Sequence, residues 1–507
     1  MYLSQIRTVA ELLAAHPSQR VAIGAPGRPD ANRGQLNQAV AIVGGALRGL
    51  GIRQQDAVAM VMPNGPEMAV LFLAVASWAI AAPLNAAYRE DEFDFYLGDL
   101  NAKAVIILSG QESPVRAVAA KRGIAIIELS PDTGEPSGLF TLSVPYKVVE
   151  NPQPKSSDVA LLLHTSGTTS RPKIVPLSHR NLTASARSIA GTLALSPEDR
   201  CLAIMPLFHI HGLVGALLSS LWAGASVFCP PGFNALKFYS WLEESGATWY
   251  TAVPTMQQAI LSRAERNADV IRTHRLRLIR SSSSSLPPQV MAELEKIFGC
   301  PVIESYGMTE AAHQMASNPL PPLLRKPGSV GRAAGPEIAI MGSDGNLLPD
   351  GGVGEIVIRG ENVTAGYANN PTANDEAFTK GWFRTGDQGT IDAEGYLSLT
   401  GRLKEIINRG GEKIAPREVD EVLMDHPAVI QVVTFAMPHR KLGEEVAAAV
   451  VLKEGHVLTE HDLRAFAATR LADFKVPRKV LFLDEIPKGP TGKIQRLGLA
   501  ERLGLRA

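Results

Sequence analysis

The stretch that decides how this chain is interpreted is His164-Thr165-Ser166-Gly167-Thr168-Thr169-Ser170-Arg171-Pro172-Lys173. It directly follows residues 159–163, a short apolar run that predicts a buried strand. Its ten residues include five hydroxyl side chains, one glycine, one arginine and one lysine. Where a strand leads into a loop, hydroxyls and free backbone N–H groups bind phosphate oxygens, while Lys and Arg neutralise their charge. The stretch therefore predicts a polyphosphate site; the alternative for this segment alone is a polar surface loop.

The spacing of this stretch does not fit the most familiar phosphate-binding loop. In the pattern GxxxxGK[ST] a second glycine follows the first by five residues. Five residues after Gly167 the sequence has Pro172. A conventional P-loop NTPase is therefore disfavoured.

The composition of the 507-residue chain is that of a globular protein with about two to four domains. Hydrophobic residues make up 45% and charged residues 20%, which excludes disorder, coiled coil and collagen. The 50 basic and 50 acidic residues balance, and no locally basic block stands out, so we expect no nucleic-acid partner. Three scattered cysteines without a CxxC motif indicate a reducing compartment, and the cytoplasm is the expected location.

Two long uncharged stretches, residues 68–87 and 212–228, raise the question of a membrane span. The first is rich in alanine, is interrupted by Pro83, and follows Asn64-Gly65-Pro66-Glu67, which is typical of a helix start. We therefore expect a buried helix that runs into a strand near Ala81, and we interpret the second stretch in the same way. No membrane span is expected.

Short apolar runs alternate with helical stretches through most of the chain, which predicts an α/β fold. The predicted strands include residues 104–108, 159–163, 276–279 and 355–358, and the predicted helices include 30–50 and 290–298. From about residue 331, short strands separated by glycine turns predict a β-rich subdomain. Beyond Lys404 we expect a helix at 416–425, a strand at 429–435 and a helix at 460–471. The domain boundary is placed near residues 401–404.

Five further motifs follow in order: Phe208-His209-Ile210-His211-Gly212, Ser305-Tyr306-Gly307-Met308-Thr309-Glu310, Trp382-Phe383-Arg384-Thr385-Gly386-Asp387, Gly401-Arg402-Leu403-Lys404-Glu405 and Pro490-Thr491-Gly492-Lys493-Ile494-Gln495-Arg496. Together with the phosphate loop, they resemble the motifs of the adenylate-forming enzymes, which include acyl-CoA synthetases, firefly luciferase and nonribosomal peptide adenylation domains. The resemblance covers nearly the whole chain. It departs at Ser170, where the family usually has glycine. We expect a slightly stiffer loop there, with a hydroxyl that can serve as a further phosphate donor, and we do not interpret the change as inactivating.

This resemblance implies the domain plan and the reaction. We expect a large N-terminal AMP-binding domain at residues 1–401, a hinge at 402–404 and a small mobile C-terminal AMP-binding domain at 405–507. The implied activity is that of an ATP-dependent ligase that uses Mg²⁺: a carboxylate attacks ATP to form an acyl-adenylate, and the thiol of CoA then displaces AMP. The partners are thus small molecules, namely an acid, ATP and CoA.

The resemblance also implies roles for individual residues. Lys493 would bridge the carboxylate and the α-phosphate, where a preorganised cation offsets the repulsion of two anions. Glu310 would bind Mg²⁺, Thr309 would contact phosphate, and Tyr306 would stack on adenine. Asp387 and Arg402 would hold the ribose. The implied nucleotide-binding set is completed by Thr165, Ser166, Gly167, Thr168, Thr169, Ser170, Lys173, Ser283, Ser284, Ser285, Ser305, Gly307 and Met308.

Two motifs would serve the second half-reaction. Lys404 falls at the position that the family uses as a hinge, about which the small domain rotates after adenylation. The paired glycines Gly410 and Gly411 permit close backbone approach, which suits the pantetheine arm of CoA.

The acid is inferred from the segment after Glu310, which lines the acyl pocket in this family. His313 places a bulky polar group there, where long-chain enzymes need small residues. With the phosphate loop and Thr248-Trp249-Tyr250-Thr251-Ala252-Val253-Pro254-Thr255, this resembles the oxalate–CoA ligase branch. His313, Ser283 and His209 are the expected contacts of the substrate, and we expect the dianion to protonate His313 partly. His211 is left open between a polar role and a core histidine, and a zinc site at the two histidines is disfavoured.

Other classes remain open on sequence alone. They are a CoA ligase for a fatty, aryl or other short acid, an adenylating enzyme that loads a carrier protein, and a catalytically inactive nucleotide-binding protein. The retained Glu310, Asp387, Arg402 and Lys493 argue against the last of these.

Overall fold

The computed structural model describes residues 5–149, 152–165, 172–487 and 494–505. Lys493 and the phosphate-loop residues Ser166, Gly167, Thr168, Thr169 and Ser170 lie outside the described residues. Within the described part the chain forms four sheets with helices packed between and around them, which is the expected α/β architecture with a β-rich subdomain and a small C-terminal α+β unit.

The first sheet has seven strands and a parallel centre. From edge to edge its strands are Phe140–Leu142, Ala125–Pro131, Ala104–Leu108, Ala57–Val61, Ile80–Pro83, Val159–His164 and Ile174–Ser178. Ala57–Val61 is buried along its whole length, as expected for a strand covered on both faces. The last two strands are antiparallel and flank the predicted phosphate loop.

The second sheet has nine strands and carries most of the candidate site. From edge to edge its strands are Arg332–Ala333, His313–Ser317, Val302–Met308, Leu278–Ser281, Trp249–Ala252, Arg200–Leu202, Ser226–Phe228, Val21–Ala25 and Arg28–Asn32. The run from Val302–Met308 to Val21–Ala25 is parallel. Ligands of such sheets bind beyond the carboxyl ends of the strands.

The β-rich subdomain and the C-terminal unit supply the third and fourth sheets. The third comprises Glu337–Met341, Gly354–Arg359, Phe378–Thr379, Trp382–Ile391 and Leu397–Arg402, all antiparallel. The fourth comprises Ile407–Arg409, Glu412–Ile414, Val429–His439, Gly443–Leu452 and Lys479–Phe482. The chain therefore passes from one sheet to the other between residues 402 and 407.

The helices complete the layers. In chain order the α-helices are Val9–Ala14, Arg33–Gly49, Pro66–Trp78, Glu90–Asp99, Val115–Arg122, His179–Thr192, Ser219–Trp222, Phe238–Ser245, Pro254–Leu261, Ala268–Thr273, Pro288–Phe298, Pro371–Ala377, Pro416–Met424, Glu460–Ala468 and Leu499–Arg502. A π-helix spans His211–Leu218, and short 3₁₀ turns span Glu265–Asn267, Thr309–Ala311, Leu403–Glu405 and Asp473–Lys475. The largest buried cluster lies between the first and second sheets and takes residues from both.

Both long uncharged stretches are buried elements, as predicted. Pro66–Trp78 is a helix buried on all sides, and it leads directly into the strand Ile80–Pro83. The second stretch forms the buried π-helix, one α-helical turn and the strand Ser226–Phe228. None of the helices in the described ranges is long and apolar enough to cross a membrane.

Candidate active site

The base of the phosphate loop is closed by two hydrogen bonds between its ends. The backbone N–H of Thr165 donates to the carbonyl of Lys173 over 2.9 Å. The N–H of Lys173 donates to Oγ1 of Thr165 over 3.1 Å. The two ends of the polar stretch are thus held together at the carboxyl end of Val159–His164.

Lys173 connects this loop to the predicted magnesium ligand through a tyrosine that the motifs did not single out. The ammonium of Lys173 lies 4.6 Å from the centroid of the Tyr367 ring. Cation–π contacts of this kind favour a cation over the ring face. The phenol of Tyr367 donates a hydrogen bond of 2.9 Å to Oε1 of Glu310.

Glu310 is a buried carboxylate on the 3₁₀ turn Thr309–Ala311, at the carboxyl end of Val302–Met308. Burial raises its pKa, and the Tyr367 hydrogen bond and the charge of Arg402 oppose that rise. In the described ranges no three His, Cys, Asp or Glu side chains converge as a metal-binding group. One acidic ligand fits Mg²⁺ that is held mainly by nucleotide phosphates, because this hard cation uses few carboxylates together with phosphate oxygens. Zinc would need three or four protein ligands.

Tyr306, Asp387 and Arg402 form one hydrogen-bonded group. The Tyr306 hydroxyl donates to Oδ2 of Asp387, and Nε of Arg402 donates to Oδ1 over 2.9 Å. Asp387 raises the pKa of Arg402, and burial followed by the charge of Asp387 raises the pKa of Tyr306. The strands Trp382–Ile391 and Leu397–Arg402 place these two charges opposite each other in register. A fixed carboxylate beside a buried aromatic ring fits the predicted ribose and adenine contacts.

The serines that follow Leu278–Ser281 lie in different environments. Ser283 has a φ of +71°, in the left-handed region that is strained for residues other than glycine. Ser284 is exposed and Ser285 half-buried. Ser305 is buried, and its hydroxyl donates to the carbonyl of Ser281 over 3.4 Å. Gly307 and Met308 are half-buried at the end of their strand, and Thr309 begins the turn that carries Glu310.

His313 lies fully inside the protein, as the first residue of the strand His313–Ser317. Its ring stacks on that of His211 with centroids 4.7 Å apart. His211 in turn has its Nε2 2.6 Å from the hydroxyl of Thr251 and its Nδ1 3.1 Å from the hydroxyl of Ser283. His313 has a φ of +100° and is preceded by Ala312 at +47°, so the backbone is strained here as it is at Ser283.

His211, the histidine left open by the sequence, therefore joins the predicted substrate residues Ser283 and His313. The ring of His211 stacks on that of His313 and lies within hydrogen-bond distance of Ser283. His209 is half-buried, and its Nδ1 accepts a hydrogen bond of 3.2 Å from the backbone N–H of His211. The role of His209 at the reacting carboxylate stays a prediction.

A buried arginine completes this cluster. Arg280 is fully inaccessible, and its Nη1 donates to Nε2 of His313 over 2.9 Å. A guanidinium can only donate, so Nε2 of His313 must accept. That argues against the expectation that the substrate protonates His313, because a protonated imidazole has no acceptor to offer.

Sequence reasoning did not identify Arg280 or Tyr367, and it named Thr251 only as part of the segment Thr248–Thr255, without a role of its own. A signal for Arg280 was present: it directly follows residues 276–279, which were predicted to be a buried strand, and the observed strand Leu278–Ser281 includes it. Thr251 and Tyr367 carried no comparable signal, because only the packing of distant segments brings them to the site.

The predicted hinge and CoA residues lie on the surface of the C-terminal part. Lys404 is exposed in the turn Leu403–Glu405. Gly410 and Gly411 form the tip of the hairpin between Ile407–Arg409 and Glu412–Ile414, with φ values of +58° and +103° that favour glycine.

A family model described as "AMP-binding enzyme" matches residues 10–368, and one described as "AMP-binding enzyme C-terminal domain" matches residues 418–493. The chain is 46% identical to a probable CoA ligase of Humulus lupulus, covering 96% of this chain and 94% of that one. It is also 46% identical to the oxalate–CoA ligases of Saccharomyces cerevisiae, with 88% and 87% covered, and of Arabidopsis thaliana, with 89% of each covered.

Two solved structures extend the similarity to the fold. ATP-bound MatB from Rhodopseudomonas palustris is 30% identical with a TM-score of 0.88, and 98% of each chain is covered. The o-succinylbenzoate–CoA synthetase of Bacillus subtilis with ATP and magnesium is 28% identical with a TM-score of 0.82, covering 97% of this chain and 99% of that one.

Proposed function

Because this chain belongs to the AMP-binding enzyme family, we propose that it is an AMP-forming carboxylate–CoA ligase and that its acid is oxalate. In the first half-reaction a carboxylate oxygen attacks the α-phosphorus of ATP, and diphosphate leaves. In the second, the thiol of CoA attacks the acyl carbon of the adenylate, AMP leaves with the bonding electrons, and the thiol proton goes to solvent. The products are oxalyl-CoA, AMP and diphosphate.

One observation supports oxalate as the substrate: the buried cluster of Arg280, His313, His211 and Ser283. It places one cation, two imidazoles and a hydroxyl where a long-chain enzyme needs an apolar tunnel. An unpaired carboxylate costs several kcal/mol in an apolar site, so a second carboxylate one bond from the first requires donors at short range. The cluster supplies such donors, and two relatives at 46% identity are named oxalate–CoA ligases.

The nucleotide is assigned to the remaining site residues. Asp387 would accept from the ribose hydroxyls, and Lys173 with the polar loop before it would neutralise the phosphates. Glu310 would hold Mg²⁺, which when bound supplies positive charge that stabilises the phosphate oxygens during adenylation. Lys493 would then bridge the two reacting anions.

For the second half-reaction we propose rotation about residues 402–404. The third sheet ends at Arg402 and the fourth begins at Ile407, so the turn Leu403–Glu405 lies between two units with separate cores. A terminal residue of a secondary-structure element can absorb the dihedral change of such a rotation. The hairpin with Gly410 and Gly411 would then approach the pantetheine arm. We also propose a cytoplasmic location, supported by three buried cysteines that are all free thiols.

A competition among acids tests the substrate. Oxalate, malonate, sulfoacetate, acetate, 4-coumarate and a medium-chain fatty acid are offered with ATP and CoA, and diphosphate release and thioester formation are both measured. Sulfoacetate is included because a relative 37% identical is named a sulfoacetate–CoA ligase. We expect oxalate to have the highest kcat/KM. If another acid is preferred by more than about tenfold, a free-energy difference of roughly 1.4 kcal/mol, the oxalate assignment is wrong.

A further inference from the structure

Arg280 is a cation enclosed by neutral groups. Its Nη1 lies 2.9 Å from Nε2 of His313 and 3.4 Å from Oγ1 of Thr251, and its Nη2 lies 3.1 Å from Oε1 of Gln314. No carboxylate of the described chain segments forms an ion pair with it, and its Nε has no hydrogen-bond partner among them. Burial lowers its pKa to about 9, so the guanidinium stays charged at neutral pH. Burying a charge without an opposite charge beside it lowers stability, so the presence of Arg280 calls for an explanation.

One consequence concerns the proton on His313. Because the guanidinium has no acceptor, Nε2 of His313 must be unprotonated, and the ring hydrogen must sit on Nδ1. Nε2 is close to the π-helix His211–Leu218: if Gly215 of that helix carried a Cβ, this atom would lie 2.7 Å from Nε2. Nδ1 faces the adenylate motif instead, since a Cβ built on Gly307 would lie 3.3 Å from it. The N–H of His313 is thus directed toward the end of the strand that carries Tyr306.

A second consequence runs through Thr251 to His211. The Thr251 hydroxyl accepts from Arg280 over 3.4 Å, and in the proposed arrangement it donates its own hydrogen to Nε2 of His211, 2.6 Å away. The hydrogen of His211 then sits on Nδ1, which donates to the hydroxyl of Ser283 over 3.1 Å. As Ser283 accepts this bond, its own hydrogen is directed elsewhere.

We propose that Arg280 is a positioning residue that fixes the direction of the hydrogen bonds in the acid pocket, so that His313 and Ser283 both present donors to the second carboxylate of the substrate. This inference rests on the proposed function, because only an acid with a second anionic group needs two such donors. Arg280 acts through His313, Thr251 and His211. Its positive charge also offsets the negative charge of the substrate's second carboxylate, although these residues lie between the two groups.

The alternative is that Arg280 only holds the core together. The strand Leu278–Ser281 is buried along its length. An arginine that only filled space there would not need the hydrogen bond of 2.9 Å that Arg280 donates to His313. The strained φ values of Ser283 and His313 also fall on the two residues that present the donors. Strain of this kind persists where the surrounding structure fixes a functional geometry.

The test combines kinetics with side-chain ¹⁵N spectra of the full-length protein labelled in histidine. Arg280→Met keeps the length of the side chain and removes the charge, and Arg280→Lys restores a cation with fewer donors. Arg33→Met is the matched control, because Arg33 is equally buried and bonds the backbone carbonyls of Leu221 and Ala225. His211→Gln and His313→Gln assign the two ring signals.

In the wild type without substrate we expect both rings to be neutral with the hydrogen on Nδ1. Arg280→Met should move the His313 hydrogen to Nε2 and raise KM for oxalate about 10- to 150-fold, the range for loss of a charge-assisted hydrogen bond. KM for ATP should change less than about threefold. Arg280→Lys should recover part of the loss, and Arg33→Met should leave KM for oxalate unchanged. If Arg280→Met changes neither the tautomers nor KM for oxalate, the proposal is wrong.

Thr251→Val keeps the test decisive if Arg280→Met does not fold. This isosteric change cuts only the branch to His211, so the His211 tautomer should change while that of His313 stays, with KM for oxalate raised about 3- to 10-fold. An unchanged His211 signal would show that Thr251 does not determine the His211 tautomer, and this part of the proposal would be wrong. The spectra need no substrate, so a wild type that prefers a monocarboxylate would refute the oxalate assignment while leaving the tautomer result to stand or fall by itself.

Discussion

The phenol oxygen of Tyr367 lies 2.9 Å from Oε1 of Glu310, to which it donates a hydrogen bond. The ring face of the same side chain contacts the ammonium of Lys173, which lies 4.6 Å from the ring centroid. One tyrosine thus connects the end of the phosphate loop to the proposed magnesium ligand. Loss of the hydroxyl and loss of the ring should therefore have separable effects.

Tyr367→Phe should weaken magnesium binding while it preserves the contact with Lys173. The Glu310 carboxylate would lose the donor that orients it, and a hydrogen bond to a charged group contributes about 1.5–3 kcal/mol. We expect the Mg²⁺ concentration for half-maximal diphosphate release to rise about 10-fold or more. Tyr367→Leu should in addition raise KM for ATP, because the cation–π contact is lost. Equal magnesium curves for wild type and Tyr367→Phe would contradict the orienting role.

The sequence predicted the elements of this fold better than the contacts among them. Short continuous apolar runs predicted the strands of the parallel sheets, because such strands are buried on both faces. The predicted helix at 30–50 began too early: Arg28–Asn32 is a strand, and the helix starts at Arg33 after a capping box between Asn32 and Gln35. The residues at the start of the predicted helix suit either a helix or a strand. Arg28–Asn32 is a strand because it pairs with Val21–Ala25.

In the candidate site, too, individual residues were predicted better than the contacts among them. Motifs located Glu310, Asp387 and Arg402, because each lies in a stretch of characteristic residues. The cluster around His313 could not be assembled from spacing, since Thr251, Arg280 and His313 come from three strands. Thr251 and Arg280 are neighbours in the parallel register of Trp249–Ala252 and Leu278–Ser281. His313 begins the antiparallel strand on the far side of Val302–Met308, opposite Met308, so only the folded sheet brings the three side chains together.

His313→Ala should lower kcat/KM for oxalate about 10- to 150-fold, the effect of one lost charge-assisted hydrogen bond. The freed space should also admit a longer or less polar acid. Two conservative variants identify the donor atom. Asparagine places its amide near the position of Nδ1 and glutamine near that of Nε2, so His313→Asn should retain more oxalate activity than His313→Gln. The reverse order would contradict donation from Nδ1.

Lys493→Ala should separate the two half-reactions. If Lys493 serves only adenylation, ATP-dependent diphosphate release should fall by several orders of magnitude. Conversion of supplied oxalyl-adenylate and CoA to the thioester should stay within about tenfold of wild type, or roughly 1.4 kcal/mol. Equal losses in the two assays would argue against alternation of the small domain.

Lys404→Pro should block the proposed rotation. Proline fixes φ near −65° and removes one N–H, so the turn Leu403–Glu405 could not adopt a second conformation. Diphosphate release in a single turnover should persist while thioester formation collapses. Lys404→Ala is the control, because it removes the same charge but leaves the backbone free. An unaffected steady-state rate of Lys404→Pro would place the pivot elsewhere.

Glu304 is a buried acid close enough to the helix Pro416–Met424 for the charges of Arg417 and Glu421 to act on it. It lies in the strand Val302–Met308, and its Oε1 accepts a hydrogen bond of 3.1 Å from the N–H of Leu286. Its Oε2 has no hydrogen-bond partner in the part of the chain that is described. Burial raises the pKa of Glu304 to about 7, against the opposing charge of Arg417 on that helix.

This shift predicts that Glu304→Gln stabilises the protein more as the pH rises. Between the unfolded value of 4.5 and the folded value of about 7, the folded state holds the proton more tightly, so wild-type stability falls as pH increases through this window. Glutamine keeps the acceptor for Leu286 and cannot ionise. Its free energy of unfolding should therefore exceed that of wild type by roughly 2 kcal/mol more at pH 8.5 than at pH 5.5. Denaturant unfolding at the two pH values measures this difference, and a gap that is the same at both would mean that Glu304 does not titrate in this range.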